Sequence, residues 1–465
     1  MPAWSIKNQV STPLLLMAVL EALIAFSSIY VAGLISFGSI ELCEEGLGPL
    51  ALRATIVAVV AIVSLIAMGL YQFHQRLSFG EAIVRIMAAL VSSCLALAVI
   101  FYAFPSVMVP RELAGIAVGY AFILLLIVRY VFVRTVDENI FRRRTLIYGA
   151  GKRAASIFDL RRRADRRGFQ IVGRVAAPGD KIVGDMDLLK IDGEAINDLA
   201  ARLGVDEIVV AMDNRRGNFP MRDLLDAKLN GIDVIDLVEF LERESGKIRV
   251  DLVYPGWLIF SHGFGKTRCR RIIKRMVDIV VSGTLLLLAG PLMLLIVLAI
   301  KHEDGARASV LYRQRRVGQG GHPFMVLKFR SMVVDAESDG KVVWAAEDDS
   351  RNTRVGNILR KFRLDELPQF VNVLRGQMSI VGPRPERPEF VKNLQKKIHY
   401  YSERHTVKPG ITGWAQINYS YGASEEDATE KLQYDLYYIK NHTVMLDLLI
   451  ILQTVEVVLW SKGAR

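Results

Sequence analysis

Cysteine is scarce. Only Cys43, Cys94 and Cys269 occur in 465 residues; they lie far apart, and Cys94 sits inside an apolar run. They build no disulfide framework and no CxxC zinc pattern. A cleavable signal peptide is not expected either, because the first apolar stretch is long and lacks a small-residue cleavage pattern. Acidic residues are outnumbered, 48 Asp and Glu against 59 Lys and Arg, for a net charge of +11. Basic charge often means nucleic acid, but such binders rarely carry long apolar runs, so no nucleic-acid partner is expected. Here 52% of residues are hydrophobic and the mean hydropathy is +0.28. That combination points to a membrane protein whose charged parts meet anionic lipids or phosphorylated ligands.

What is present has an order. Four apolar stretches come first, Pro13–Gly38, Leu50–Tyr71, Ala82–Phe104 and Leu113–Val133. Each reaches the ~20 residues needed to cross a bilayer core. The first loop holds Glu41, Glu44 and Glu45 and no Lys or Arg. Arg76, with Arg85 close by, marks the second, and Arg134, Arg142, Arg143 and Arg144 follow the fourth stretch. By the positive-inside preference both ends of this four-span bundle (residues 1–140) face the cytoplasm. Glu21 lies within the first span, as a pathway residue or as a carboxylate facing other helices.

Residues 141–265 change character. TLIYGAGKRAASIFDLRRRA reads as strand, Gly-rich turn and helix, and FQIVGRVA and DEIVVAMD read as further buried strands. The alternation predicts a parallel α/β sheet. Gly149, Gly151 and Ala154 approximate a dinucleotide fingerprint, but the acid expected after the next strand is not in place. Nucleotide binding and a Rossmann-like scaffold with a tight first turn are both compatible with this pattern.

A fifth apolar run, KRMVDIVVSGTLLLLAGPLMLLIVLAIKH, has basic clusters on both flanks and Gly290–Pro291 near its middle. A single crossing would put one cluster outside. A re-entrant helix over 272–301, bent at Pro291 and returning to the same face, avoids this; a fifth span with a proline kink is the alternative.

The rest of the chain holds the chemical signals. VLYRQRRVGQGGHPFMVLKFRSM places Lys328 and Arg330 after a cationic Gly-rich turn. RVGNILRKF puts Val355, Ile358, Leu359 and Phe362 on one helical face, suited to a membrane surface or a core. RLDELPQFVNVLRGQMS reads as a helix from about Asp365 to Arg375. Asp365 and Glu366 at its start serve either as caps or as an anionic pair able to attack phosphorus or hold Mg²⁺. SIVGPRPERPEF then fixes Arg384 on a rigid turn suited to bidentate phosphate binding. ERHTVKPGITGWAQIN adds Arg404, His405 and Lys408 before a Pro-Gly turn. HTVMLDLLIILQTVEVVLW is broken by Asp447, Gln453 and Glu456, and reads as an interfacial or packed helix.

In this order the motifs KRMVDIV, YRQRRVG, LKFRSM, RVGNILRKFRLDELPQFVNVLRGQMSIVGPRP, KPGITGWAQIN and YDLYYIKN closely resemble the bacterial polyprenyl-phosphate sugar-1-phosphate transferases. These monotopic phosphoglycosyl transferases initiate exopolysaccharide, O-antigen and glycoprotein glycan assembly. The spans and the Rossmann-like part resemble the long form by architecture. The resemblance implies a membrane α plus α/β fold, with a catalytic domain over 266–465, on the cytoplasmic face of the bacterial inner membrane. It implies Asp365 as nucleophile, Glu366 as the Mg²⁺ partner, Arg384 as a phosphate ligand, Lys328, Arg330 and Arg360 as basic residues lining the site, and Pro291 as the helix break. The implied partners are a UDP-sugar, undecaprenyl phosphate and the lipid bilayer, and long-form relatives suggest a homodimer. Two positions depart from the family pattern. Gly290 stands where Ser is frequent, and Asn418-Tyr419-Ser420 replaces Asn-Gly-Arg.

Overall fold

The computed structural model describes residues 12–68, 70–71, 79–135, 142–160, 165, 168–183, 188–189, 195–215, 219–254, 256–257, 261, 263–265, 268–305, 307–333, 351–419, 422 and 424–460. Arg76 and Ser420 lie outside the described residues, as do the side chains of Arg134 and Glu456. The chain forms two compact units, Met1–Gly246 and Lys247–Arg465.

The first unit opens with helices α1 (Thr12–Phe37), α2 (Ile40–Leu47), α3 (Leu50–Ala67), α4 (Phe79–Ala103) and α5 (Arg111–Thr135). All but the short α2 are long and apolar enough to cross a membrane. They pack in a ring, α1 against α3 and α5, and α4 against the same two. Alanines at the contacts, among them Ala25, Ala32, Ala54, Ala58, Ala61, Ala89 and Ala117, are buried, whereas Leu95 and Val99 are 66% and 65% exposed. Small residues at the contacts, beside buried Ile29, Leu65 and Leu125, with further large apolar residues left outside, suit helices whose solvent is lipid. Glu21 is fully buried, 2.8 Å from Arg129 Nε, and accepts a hydrogen bond from Tyr71. The acidic first loop is largely α2, with Ser39 capping it.

A five-stranded parallel sheet follows, β1 (Arg143–Tyr148), β2 (Phe169–Val175), β3 (Leu188–Leu189), β4 (Glu207–Val210) and β5 (Asp233–Asp236), in the order β3-β2-β1-β4-β5. Between the strands run α6 (Lys152–Phe158), α7 (Ile196–Arg202) and α8 (Met221–Leu229), with α9 (Leu237–Ser245) after β5. β4 is buried at every position, as a strand covered on both faces requires.

The Gly-rich turn between β1 and α6 is filled from within the chain. Asp213 accepts hydrogen bonds from Lys152 N (3.1 Å) and Arg153 N (2.8 Å), and Asp180 accepts from Ala150 N (2.9 Å). Gly151 permits this approach, since a Cβ there would lie 2.0 Å from an Asp213 oxygen.

The second unit begins where Ile248 enters its core. Its first long element is α10 (Arg268–Asp304), one helix of 37 residues with Pro291 inside it. Then come β6 (Leu311–Val317) and β7 (Pro323–Phe329), an antiparallel hairpin, α11 (Arg354–Lys361), α12 (Gln369–Leu374), β8 (Ser379–Val381) and α13 (Pro388–Lys397). β9 (Gly410–Thr412) pairs in parallel with β8, and α14 (Trp414–Asn418), α15 (Glu425–Asn441) and α16 (Val444–Trp460) complete the unit. The buried face of α15 (Leu432, Leu436, Tyr437, Tyr438, Ile439) centres a core with Val373, Met378, Ile380, Leu446 and Ile450.

Both ends of α10 are tied to this unit. Near its start, Asp278 accepts from Ser379 Oγ (2.9 Å) and Ile380 N (3.0 Å), and Lys274 pairs with Asp447 at 2.6 Å. Near its end, Glu303 accepts from Arg354 N (2.8 Å) and Val355 N (3.0 Å), capping α11, and Ile296 and Ile300 pack with Phe329 and Leu359. Between these anchors Leu287 and Leu288 are 80% and 68% exposed. Asp447 breaks the apolar pattern of α16 because it serves Lys274 and Tyr438. On α11, Leu359 turns into the protein while Ile358 and Phe362 stay more than half exposed.

Candidate active site

The helix read from Asp365 to Arg375 is a helical path in two parts. A 3-10 turn over Leu364–Glu366 runs through Leu367 and Pro368, both right-handed, into α12. Arg363 precedes it with φ 54, in the left-handed region that a side chain other than glycine rarely occupies. This reversal ends α11 and starts the new path, so the two carboxylates sit on its first turn. Asp365 is buried at 8% exposure.

Around them the chain assembles two cations from distant segments. Lys328, near the end of β7, places Nζ 3.0 Å from Glu366 Oε1 and 3.5 Å from Asp365 Oδ2. Arg384 donates from Nη2 to the same Glu366 oxygen at 3.0 Å. Burial alone would raise the Glu366 pKa, but Lys328 and Arg384 outweigh it and hold the group well below the usual carboxylate range. Asp365 goes the other way. Burial raises its pKa, and the charge of Glu366 adds to this against the pull of Lys328. Adjacent carboxylates are thereby set apart, one locked as an anion and the other made more basic.

Asn372, fully buried on α12, holds β7 in place, accepting from Leu327 N (3.0 Å) and donating to Met325 O (2.8 Å). This fixes the strand that carries Lys328. The Arg384 turn is fixed by backbone contact. Gly382 N donates to Thr412 O and Gly410 N to Pro383 O, each at 2.9 Å. A Cβ on Gly410 would lie 2.1 Å from Gly382 N, so the GPRP and KPG motifs meet through a pair of glycines.

Four of the residues singled out from sequence, Asp365, Glu366, Lys328 and Arg384, thus stand together. Arg330 follows β7, with its amide donating to Val310 O, and Arg360 donates to Asn352 Oδ1 at 2.6 Å. Among the described contacts neither touches the carboxylates. Pro291 lies within α10 and is exposed. Tyr419, at the departure from the family pattern, donates to Asp427 Oδ1 at 2.6 Å. Asn372 and Asp278 were not legible as site-shaping residues. Their partners include backbone groups distant in sequence, which leave no local periodicity.

Comparison with known proteins identifies the family. The family model described as bacterial sugar transferase matches residues 269–461. A UDP-glucose:undecaprenyl-phosphate glucose-1-phosphate transferase of Klebsiella pneumoniae is 36% identical over 335 residues, 70% of this chain and 69% of that protein. The chain belongs to the bacterial sugar transferase family. Similar too is a UDP-N-acetylgalactosamine-undecaprenyl-phosphate N-acetylgalactosaminephosphotransferase of Aeromonas hydrophila, 40% identical over 247 residues. A UDP-glucose:undecaprenyl-phosphate glucose-1-phosphate transferase of Escherichia coli is 46% identical over 187 residues. The chain spans 56% of the Aeromonas protein and 40% of the Escherichia one. The matched segment contains the whole carboxylate cluster, and the apolar helices ahead of it support a membrane-associated protein.

Proposed function

We propose that this sugar transferase moves a sugar-1-phosphate from a UDP-sugar to undecaprenyl phosphate, releasing UMP and leaving a polyprenyl-diphosphate sugar. This would be the initiating step of exopolysaccharide or related glycan synthesis. The observation that carries the reading is the unequal carboxylate pair, with Glu366 neutralised by Lys328 and Arg384 beside a more basic Asp365. Relatives whose names state this reaction support it.

An Asp365 oxygen attacks the phosphorus that bears the sugar. The bond from that phosphorus to the bridging oxygen breaks, and UMP leaves. A phosphate oxygen of undecaprenyl phosphate then attacks the same phosphorus, and the carboxylate departs. Little covalent chemistry is asked of the protein beyond this, so positioning and charge stabilisation carry the rate. Arg384 and Lys328 would exchange part of their pairing with Glu366 for substrate phosphate oxygens. Among the described residues no three His, Cys, Asp or Glu groups converge as a metal cage. Two adjacent carboxylates with a substrate diphosphate nevertheless fit Mg²⁺, which binds through one or two carboxylates and keeps several waters. Glu366 would hold it, and its chemistry there is to neutralise the diphosphate.

The proposed setting is the cytoplasmic face of the inner membrane. Helices α1, α3, α4 and α5 would form a four-span bundle, and the parallel sheet, with its doubly wound strand order, a Rossmann-like domain. α10 would be re-entrant. Asp278 and Glu303 would stand about 37 Å apart on a straight helix, yet both bind the same unit while the apolar middle of α10 is left outside it.

The test is UMP release from UDP-glucose, UDP-galactose and UDP-N-acetylgalactosamine with undecaprenyl phosphate. Purified Asp365→Asn protein should release essentially none in a single turnover. Turnover at the wild-type rate in that variant would end the nucleophile assignment.

A further inference from the structure

Behind Arg384 stands a second, fully enclosed arginine. Arg404 is 6% exposed and Asp435, on α15, is 2% exposed. From Nη2, Arg404 donates to Asp435 Oδ2 at 2.9 Å and to the backbone oxygen of Arg384 at 3.1 Å. From Nη1 it donates to the Tyr401 hydroxyl at 2.6 Å. Its described contacts do not include Asp365 or Glu366. One planar group therefore ties a rigid helix and an aromatic ring to the residue whose own guanidinium holds Glu366.

We infer that Arg404, oriented by Asp435 and Tyr401, is a positioning residue that sets where the Arg384 guanidinium stands. The inference rests on the proposed phosphoryl transfer and concerns how its phosphate-binding arginine is aimed. The geometry explains the choice of arginine over lysine. Three acceptors in different directions are served by a forked guanidinium, whereas an ammonium on a flexible stem holds no such plane. A charge buried so deeply also requires a partner that is buried with it, and Asp435 provides this. A group that acts only through the Arg384 backbone shifts a guanidinium by a fraction of an ångström when it is lost, and such shifts reduce turnover steeply.

The experiment is a double-mutant cycle on the full-length protein in detergent, read as single-turnover UMP release from the best of the three UDP-sugars. Arg404→Lys is expected to lower kcat/KM by ~10- to 100-fold. In an Arg384→Ala background the same change should lower it by less than about 3-fold, because the group that Arg404 aims is gone. Tyr401→Phe, which removes one hydroxyl, should behave the same way at smaller amplitude, and it serves if Arg404→Lys does not fold. Losses that multiply independently in the two backgrounds would mark Arg404 as merely structural and overturn the inference. So would wild-type kcat/KM in both Arg404→Lys and Tyr401→Phe. Asp365→Asn runs alongside. If it alone keeps full turnover, the nucleophile assignment falls while the positioning role stands. If it is inactive while the Arg404 variants match wild type, only the positioning role falls.

Discussion

Arg384 Nη2 lies 3.0 Å from Glu366 Oε1, so the arginine of the Pro-Arg-Pro turn pairs with the second carboxylate of the Asp-Glu pair. Lys328 reaches that same oxygen at 3.0 Å and Asp365 only at 3.5 Å. The cations are unequally shared, and this asymmetry gives neighbouring acids different tasks.

The pH dependence of UMP release should reveal it. Asp365 must be ionised to attack, and its pKa is raised by burial and by Glu366. Activity is therefore lost as pH falls through a value above the ordinary ~3.9 of an aspartate. Lys328 opposes the rise, so Lys328→Met should move the acid limb to higher pH as well as lowering the maximum rate. A limb that stays in place in Lys328→Met, or one at or below the ordinary value in the wild type, would contradict the assignment.

Asp278 should matter to both stability and rate. It is 3% exposed, and it accepts from Ser379 Oγ and Ile380 N at the strand that leads into the Arg384 turn. Asp278→Ala leaves two buried donors without their acceptor, which costs about 1–3 kcal/mol each in the usual range. Ser379→Ala removes only one donor and should cost less. Thermal unfolding in detergent, followed by UMP release below the transition, compares the two. Equal Tm values for both variants would show that Asp278 is not the anchor.

Much of this site was legible through the family resemblance, which rests on motifs that local reading alone leaves as caps, strand edges and turns. The Asp-Glu pair, Pro-Arg-Pro and Leu-Lys-Phe-Arg each announce a turn, a cap or a cation at fixed spacing. Lys328 and Arg384 were expected near the carboxylates and stand there. Arg360, expected there from the same resemblance, donates to Asn352 instead, and Arg330 is seen only through its amide, which donates to Val310 O. Spacing alone does not say which side of a strand end or helix an arginine takes. Asn372 and Asp278 were hidden because they act on backbone groups up to 102 residues away, and Asp435 because its partner is the Arg404 side chain, 31 residues away. The Asp365 helix was expected in one piece. After the left-handed Arg363 the path is instead a 3-10 turn over Leu364–Glu366, followed by a short α-helix that Pro368 caps.

The Gly-rich turn after β1 should not take a dinucleotide. Its amides at Ala150, Lys152 and Arg153 already donate to Asp180 and Asp213, where a pyrophosphate would have to sit. Full-length protein titrated with NADH should give no saturable fluorescence enhancement. Asp213→Ala should cost about 1 kcal/mol, as the loss of a helix cap does. Saturable NADH binding by the wild type would show these carboxylates to be displaceable.

The course of α10 can be read by labelling its two ends. Cys269 stands at its start, and Asp304→Cys marks its end, in a chain whose Cys43 and Cys94 are changed to Ser. If α10 returns to its own side, an impermeant maleimide should modify both positions in inverted membrane vesicles and neither in right-side-out ones. Asp278 and Glu303 hold the two ends to one unit, and Pro291, inside the continuous helix, lacks the amide whose hydrogen bond would oppose a bend between them. Pro291→Ala restores that hydrogen bond and favours a straight span, so a fraction of position 304 should become reactive from the opposite side. Labelling of position 304 from outside while Pro291 is intact would mean that α10 crosses the membrane.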